Sequence, residues 1–328
     1  MTEHETAAPF SLAGDGPVLM CSGQGSQRAG MGADLMDLAE VAEAFATASN
    51  ALGFDVAAAC APESGALSDT RVAQPALVAL SVGIGRALMA RGVSPSAVLG
   101  FSLGQVSALA LSGMLPDRAV FELVGVRSEL MHDAAAANPG AMSALLRVDE
   151  ERVRELVDAC AEGEVVVPAN FNCPGQIVVS GTVAAVERVE AAHAAAGGRF
   201  ARLATEGAFH SPLMADAAAR FAEYLENIEF ADARIPLICN VDARPLAAAD
   251  VREHLVRHLT EPVRFEQSVR ALVAAGATEF AEVGFGGVLE GLVKRTDRSL
   301  ARACVQDRAS FDAYLERLGA EDRKEGAR

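Results

Sequence analysis

The sequence predicts an α/β fold, with a large parallel-sheet domain interrupted by a smaller β-α-β-β-α-β insert. Three observations predict it. The run Ala97-Val98-Leu99, the turn Gly100-Phe101-Ser102-Leu103-Gly104 and the apolar stretch 105–111 read as strand, sharp turn and helix. The chain is 51% apolar yet lacks tryptophan, so alanine, valine and leucine must fill the core, which suits helices packed on a parallel sheet. After Asn138-Pro139-Gly140, strong loop punctuation, the pattern changes to short strands alternating with two helices.

The elements follow in order. Residues 1–16 read as a flexible leader, and 18–22 as a buried strand running into the turn-rich loop Gly23-Gln24-Gly25-Ser26-Gln27. Amphipathic helices are predicted over 34–50 and 74–91, the second starting at Gln74-Pro75. The elbow strand and its helix come next, then a helix over 117–136. Strands at 141–148, 165–167, 176–180 and 199–203, with helices at 150–162 and 182–196, match the split ferredoxin-like order and define an insert at 138–206. The large domain, 17–137, resumes over 207–318 with a helix to about 226, a strand at 236–241, helices at 249–259 and 264–275, and a strand at 279–283. The charged end, 319–328, is expected to be a flexible tail.

Length and charge narrow the function. At 328 residues the chain can bury a sizeable core, and its net charge of −16 argues against a broad nucleic-acid surface. Cys21, Cys60, Cys160, Cys173, Cys239 and Cys304 are scattered, with no C-x-x-C pair, as expected of buried thiols in a reducing compartment. Residues 1–9 lack a basic n-region and an apolar h-region, and no uninterrupted apolar stretch reaches membrane-spanning length. A cytoplasmic protein without membrane partners is expected. A dinucleotide site is excluded because Gly23-x-Gly25 continues to Arg28 instead of a third glycine.

The turn carries the chemistry. Its glycines allow a tight bend that lifts the Ser102 hydroxyl clear of the backbone, and the following helix N-terminus points N–H groups at developing negative charge. A serine hydroxyl needs a base to take its proton. Of six histidines, His4 lies in the leader, while His132 and His193 sit in polar helices and are expected to be solvated. His254 and His258 have i, i+4 spacing, but Leu255-Val256-Arg257 lacks a zincin glutamate and no third ligand is apparent, so no metal is expected. His210, between a loop and Ser211-Pro212 at a helix start, is the candidate base.

Six motifs occur in one order: Gly23-Gln24-Gly25-Ser26-Gln27, the Gly-x-Ser-x-Gly elbow, Arg127 in Val126-Arg127-Ser128, Pro168-Ala169-Asn170-Phe171-Asn172 with Pro174-Gly175-Gln176, Gly207-Ala208-Phe209-His210, and Glu282-Val283-Gly284. Over about 17–305 the chain resembles the malonyl-CoA:acyl-carrier-protein transacylases and the acyltransferases of polyketide synthases. The resemblance implies a hydrolase-like large domain carrying a ferredoxin-like insert. It implies ping-pong acyl transfer in fatty-acid or polyketide synthesis, from acyl-CoA to a phosphopantetheinylated acyl carrier protein, with no tightly bound cofactor. It makes Ser102 the nucleophile, His210 the base, the Gln24 and Leu103 N–H groups the oxyanion hole, and the His258 backbone carbonyl the group orienting His210. Arg127 would bind the malonyl carboxylate, its planar guanidinium matching that group. Phe101, Asn170 and Phe209 would contact the acyl group, Phe209 narrowing the pocket against branched chains.

The chain departs from the family pattern at Phe101, usually histidine, at Gln105, usually glutamate, and at Phe285 in Gly284-Phe285-Gly286. These departures bear on the acyl substrate, and they point to a specialised, stand-alone member serving a polyketide assembly line. Lys294, Arg295 and Arg298, with Arg302, form a basic cluster that would contact an acidic carrier protein or CoA phosphate. Three readings compete with malonyl transfer: another acyl group (methylmalonyl or uncharged), acyl hydrolysis on the carrier protein, and a non-catalytic binding protein.

Overall fold

The computed structural model describes residues 10–325. The first strand, β1 (Val18–Cys21), is fully buried and leads through the Gly23–Gln27 loop to α1 (Ala39–Leu52) and the short α2 (Val56–Ala59). A long helix, α3 (Thr70–Ala90), precedes β2 (Ala97–Gly100), α4 (Gly104–Ser112) and α5 (Asp117–Ala137). Then come β3 (Gly140–Leu146), α6 (Glu150–Cys160), β4 (Val166–Cys173), β5 (Gln176–Thr182), α7 (Val183–Ala195) and β6 (Arg199–Arg202). The chain returns through α8 (Ala215–Leu225), β7 (Leu237–Ile238), α9 (Val251–Thr260), β8 (Val263–Arg264) and α10 (Phe265–Ala274). It ends with β9 (Glu279–Val283), α11 (Val288–Thr296), β10 (Ala301–Val305) and α12 (Arg308–Glu325).

Two sheets result. The first has the order β10-β9-β1-β2-β7, and every neighbouring pair is parallel. Its inner strands are near-continuous apolar runs because helices cover both faces. The second has the order β6-β3-β5-β4-β8, and its first four strands pair antiparallel, the ferredoxin-like arrangement. A separate core of Leu145, Val153, Phe171, Ile177 and Val186 fills its helix-covered face. The fold is therefore a parallel-sheet α/β domain with a second, mainly antiparallel sheet. Strand β8, from beyond the insert, pairs parallel with β4 through Asn170↔Val263 and ties the second sheet to the large domain.

Several expectations need correction. Helix α3 begins at Thr70, capped by the Asp69 carboxylate on the Arg71 N–H, and Pro75 lies inside it. It is also long and apolar enough to cross a membrane by length and composition, but Arg71 and Arg86 interrupt its apolar run and 83% of that window is buried within the protein. Its apolar character comes from packing against α1, α4 and α5. The strand expected at 236–241 has only two residues, because the chain then turns so that Cys239 N–H donates to the Arg244 carbonyl. His193 is buried, its Nε2 facing the carbonyls of Leu146 and Arg199.

The two chain ends also differ from the expectation. The leader's residues 1–9 lie outside the described residues, but Phe10 and Leu12 pack against the sheet core and Ala13 N–H donates to Ser96 O. Sequence patterning assigns no element to 284–318, which folds as α11, β10 and most of α12, and α12 continues through residue 325 of the expected tail.

Candidate active site

The turn after β2 is as tight as its glycines suggest. A Cβ on Gly100 would lie 2.1 Å from the Gln105 nitrogen, and one on Gly104 would lie 2.0 Å from the Cys21 carbonyl oxygen. Ser102 sits between them at φ +50°, a left-handed conformation that costs a non-glycine residue energy. Asn240, at the C-terminal edge of the sheet, braces the turn. Its Oδ1 accepts from the Ser102 N–H at 2.7 Å and its Nδ2 donates to Gly100 O at 2.7 Å. Gln105 is fully buried, and its Oε1 accepts from the Asn240 N–H at 2.8 Å. The Gln105 side chain thus helps hold the bracing residue in place.

His210 approaches from the loop before α8, also at positive φ (+56°). Ser102 Oγ lies 2.7 Å from His210 Nε2, and His210 Nδ1 lies 2.8 Å from the His258 carbonyl oxygen. A carbonyl can only accept, so Nδ1 carries the proton and Nε2 is left to accept from the serine hydroxyl. Burial, reinforced by the nearby Arg127 charge, lowers the His210 pKa to about 4. The imidazole is therefore neutral and basic in form at neutral pH. The His258 ring is also buried, its pKa pulled well down by desolvation, and its Nε2 has no partner among the described residues. Together the serine and imidazole can move a proton off the hydroxyl as it attacks a carbonyl.

Arg127 is 2% exposed on α5 and has no carboxylate partner among the described residues. The nearby Glu122 pairs with Arg118, four residues before it. Arg127 Nη1 donates to Gln74 Oε1 at 2.6 Å, while Nη2 is buried with no partner. Burial lowers the guanidinium pKa to about 10, which leaves it charged. Gln74 Nε2 donates to Gln24 Oε1 at 3.2 Å, and Gln24 Nε2 to Thr70 Oγ1 at 2.6 Å, so the guanidinium and the Gly23–Gln27 loop share one side-chain chain. The backbone N–H groups of Gln24 and Leu103 have no hydrogen-bond partner among the described residues. The Gln24 loop abuts the elbow, since a Cβ on Gly23 would lie 2.7 Å from Phe101 O.

A cleft of about 480 Å³ opens between the two sheets beside this cluster. Gln24, Phe101, Asn170, Asn172, Gln176 and Arg295 are among its lining residues. Phe101 meets the Phe265 ring edge-on at 5.4 Å. Asn172 Oδ1 is buried and without a partner. Phe209 instead lies in the main core, as does the half-buried Phe285, and neither lines the cleft. Of the two aromatic departures noted in the sequence, only Phe101 reaches it. Lys294, Arg295 and Arg298 are all exposed, but of the three only Arg295 lines the cleft, where it donates to Gln176.

Asn240, Gln74 and Asn172 were not singled out as site residues from sequence. Asn240 had the best available signal, because it lies near the C-terminal end of a predicted strand, at the sheet edge where ligands of open α/β proteins bind. Gln74 was hidden by reading Gln74-Pro75 as a helix start.

A parallel-sheet fold presenting a strained serine to a neutral imidazole defines a class, the enzymes that pass acyl groups through a serine ester. The acyl transferase domain family matches residues 18–313. The malonyl CoA-acyl carrier protein transacylase of Bacillus subtilis is 38% identical, covering 92% of this chain and 96% of that protein. The one from Escherichia coli K12 is 38% identical, covering 90% and 97%. A Streptococcus pneumoniae structure of the same type superposes with a TM-score of 0.88 at 39% identity, over 92% of this chain and 99% of that one. A malonyl-transacylase solved with a type II polyketide acyl-carrier protein gives the same TM-score, 0.88, at 39% identity, over 92% and 99%. The chain belongs to the acyl transferase family, within its malonyl-CoA:acyl-carrier-protein transacylase branch.

Proposed function

We propose that this chain moves a malonyl group from CoA to the phosphopantetheine thiol of an acyl carrier protein, in fatty-acid or polyketide synthesis, through an ester on Ser102. Ser102 Oγ attacks the thioester carbonyl while His210 Nε2 takes its proton. The Gln24 and Leu103 N–H groups hold the oxyanion. The intermediate collapses, and the CoA sulfur leaves with the proton from His210. The carrier thiol then gives its proton to His210 and attacks the ester, and the serine regains that proton. These steps draw on no further cofactor. The His258 carbonyl keeps the base in the right tautomer, and the cleft takes the pantetheine arm that both donor and acceptor share. Six free cysteines fit a reducing, cytoplasmic setting.

The observation that carries the malonyl reading is the buried Arg127, charged and with an unpartnered Nη2 beside the reacting pair. An isolated buried cation is costly unless its partner arrives with the substrate, and a terminal carboxylate is that partner. Intact-protein mass spectrometry with a panel of acyl-CoAs tests this. Malonyl loading on Ser102 should vanish in Ser102→Ala and fall about 30- to 1000-fold in Arg127→Ala, the range for breaking a buried charge contact of about 2–4 kcal/mol. Preferential loading by uncharged acyl groups would overturn the assignment. Adding holo carrier protein separates transfer from hydrolysis.

A further inference from the structure

Helix α9 carries two histidines one turn apart, and they serve different neighbourhoods. The His258 ring packs against His210, with ring centroids 5.3 Å apart. His254 instead faces the segment after β7, where its Nε2 lies 3.2 Å from Asp242 Oδ2. Ligand atoms from His254, Asp242 and Cys239 all fall within 4.8 Å of one another. This gives His254 a third neighbour that the i, i+4 spacing could not reveal.

We propose that Cys239, Asp242 and His254 form a binding site for a thiophilic divalent cation, with Zn²⁺ as the best fit, behind the nucleophile turn and coupled to it. Sulfur, imidazole nitrogen and carboxylate oxygen form a donor set that suits zinc, and three protein ligands leave a fourth position for water. Ligand atoms around a tetrahedral zinc sit about 3.3–3.8 Å apart, so small side-chain rotations close the site.

The surroundings prepare each donor. His254 Nδ1 lies 2.9 Å from the Asp250 carbonyl oxygen and Nε2 lies 3.2 Å from Asp242 Oδ2; both partners only accept, so the cation takes the place of a proton between Nε2 and the carboxylate. Asp242 Oδ1 accepts from the Arg244 N–H at 3.1 Å, leaving Oδ2 to face His254. Cys239 Sγ accepts from the Val241 N–H at 3.4 Å and from Gln105 Nε2 at 3.6 Å, contacts that favour a thiolate. Burial meanwhile pushes the free thiol up to about 11. Metal binding releases the thiol proton and the proton between His254 Nε2 and Asp242 to solvent, and one thiolate with one carboxylate balances the cation's two charges.

The coupling is one residue long. Cys239 adjoins Asn240, whose side chain holds Ser102 N–H and Gly100 O, and Gln105 touches both Cys239 and Asn240. A metal on Cys239 competes with Gln105 for the sulfur and shifts the brace beneath the nucleophile, so occupancy slows acylation of Ser102.

The test uses the full chain, Zn²⁺ competed against a chromophoric chelator, and Co²⁺ as the spectroscopic probe. One metal should bind per chain, and Co²⁺ should show a thiolate charge-transfer band that is lost in Cys239→Ser. Affinity should fall about 10- to 100-fold or more in His254→Ala, since a lost ligand costs at least as much as a lost outer partner. Zn²⁺ should slow single-turnover acylation of the unaltered protein and leave His254→Ala largely unaffected. Metal binding equal in the unaltered protein and in a folded His254→Ala, or a charge-transfer band that survives Cys239→Ser, would overturn the site. Tight binding with an unchanged acylation rate would overturn the coupling.

Discussion

The floor beneath Ser102 and the flank that faces substrate follow opposite rules. In the floor, hydrogen bonds close a circuit: Ser102 N–H to Asn240, Asn240 to Gly100 O, and Asn240 N–H to Gln105. On the flank, Arg127 Nη2 and Asn172 Oδ1 are buried and unpartnered among the described residues. Each such orphan costs about 1–3 kcal/mol in the free protein. The contrast shows how the two halves divide their tasks. The floor's polar groups are spent on holding a strained turn, whereas the flank's are left open for a polar ligand whose binding offsets their desolvation.

The sharpest way to break the floor is to give its glycines a side chain. In Gly104→Ala the new Cβ meets Cys21 O at 2.0 Å, and both are backbone positions that cannot swing aside. The expected result is a stability loss of about 3 kcal/mol or more in denaturant unfolding. Ser102 acylation of the surviving folded fraction should fall more than about 100-fold, because a displacement near 1 Å suffices for that. A variant with unaltered stability and loading would show that the circuit does not need this close approach.

Legibility followed the same division. The elbow could be read from five residues because only small residues fit the two flanking positions. The candidate base, His210, was recognisable from its motif, and the ferredoxin-like pattern from the order of its short alternating runs. The bracing asparagine was not legible, since Asn240 comes to the turn from 138 positions away and nothing near it in sequence announces the contact. Strand β8, two residues long, carries too little pattern to detect. Pro75 looked like a helix start because proline suits the first turn, yet tertiary burial of α3 carries the helix through it. The two histidines of α9 look alike in sequence, and only the fold separates their neighbours.

The electrostatics of the flank give the next prediction. His210 has a folded pKa lowered to about 4 from 6.5, by burial first and by Arg127 second. Between those values the unfolded chain binds a proton that the folded one refuses. The stability linked to His210 is therefore fully present above about pH 6.5 and is lost as pH falls through about 4. The acid limb of kcat/KM for Ser102 acylation should likewise have its midpoint near 4, well below an ordinary imidazole's. Arg127→Ala removes the neighbouring charge and should move the limb to higher pH, measured with an uncharged acyl thioester so that carboxylate binding does not intrude. A midpoint near 6.5, or one that Arg127→Ala leaves in place, would separate the flank's charge from the base.

The smallest effect belongs to the exposed basic residues of α11 and the turn after it, outside both regions. Lys294 and Arg298 are exposed and form no ion pair among the described residues, on a chain whose net charge is −16. Exposed charges at an interface rim act mainly on the association rate, and each contact is worth about 0.2–1 kcal/mol. Reversing both, Lys294→Glu with Arg298→Glu, should raise the KM for an acidic carrier protein roughly 5- to 30-fold at low salt, an effect of about 1–2 kcal/mol. Added salt should shrink the difference as the screening length falls. A small thiol acceptor should be used equally well by the variant and the unaltered protein, since it carries no charge for the rim to steer. Equal losses with carrier and small thiol would place the damage in the cleft itself.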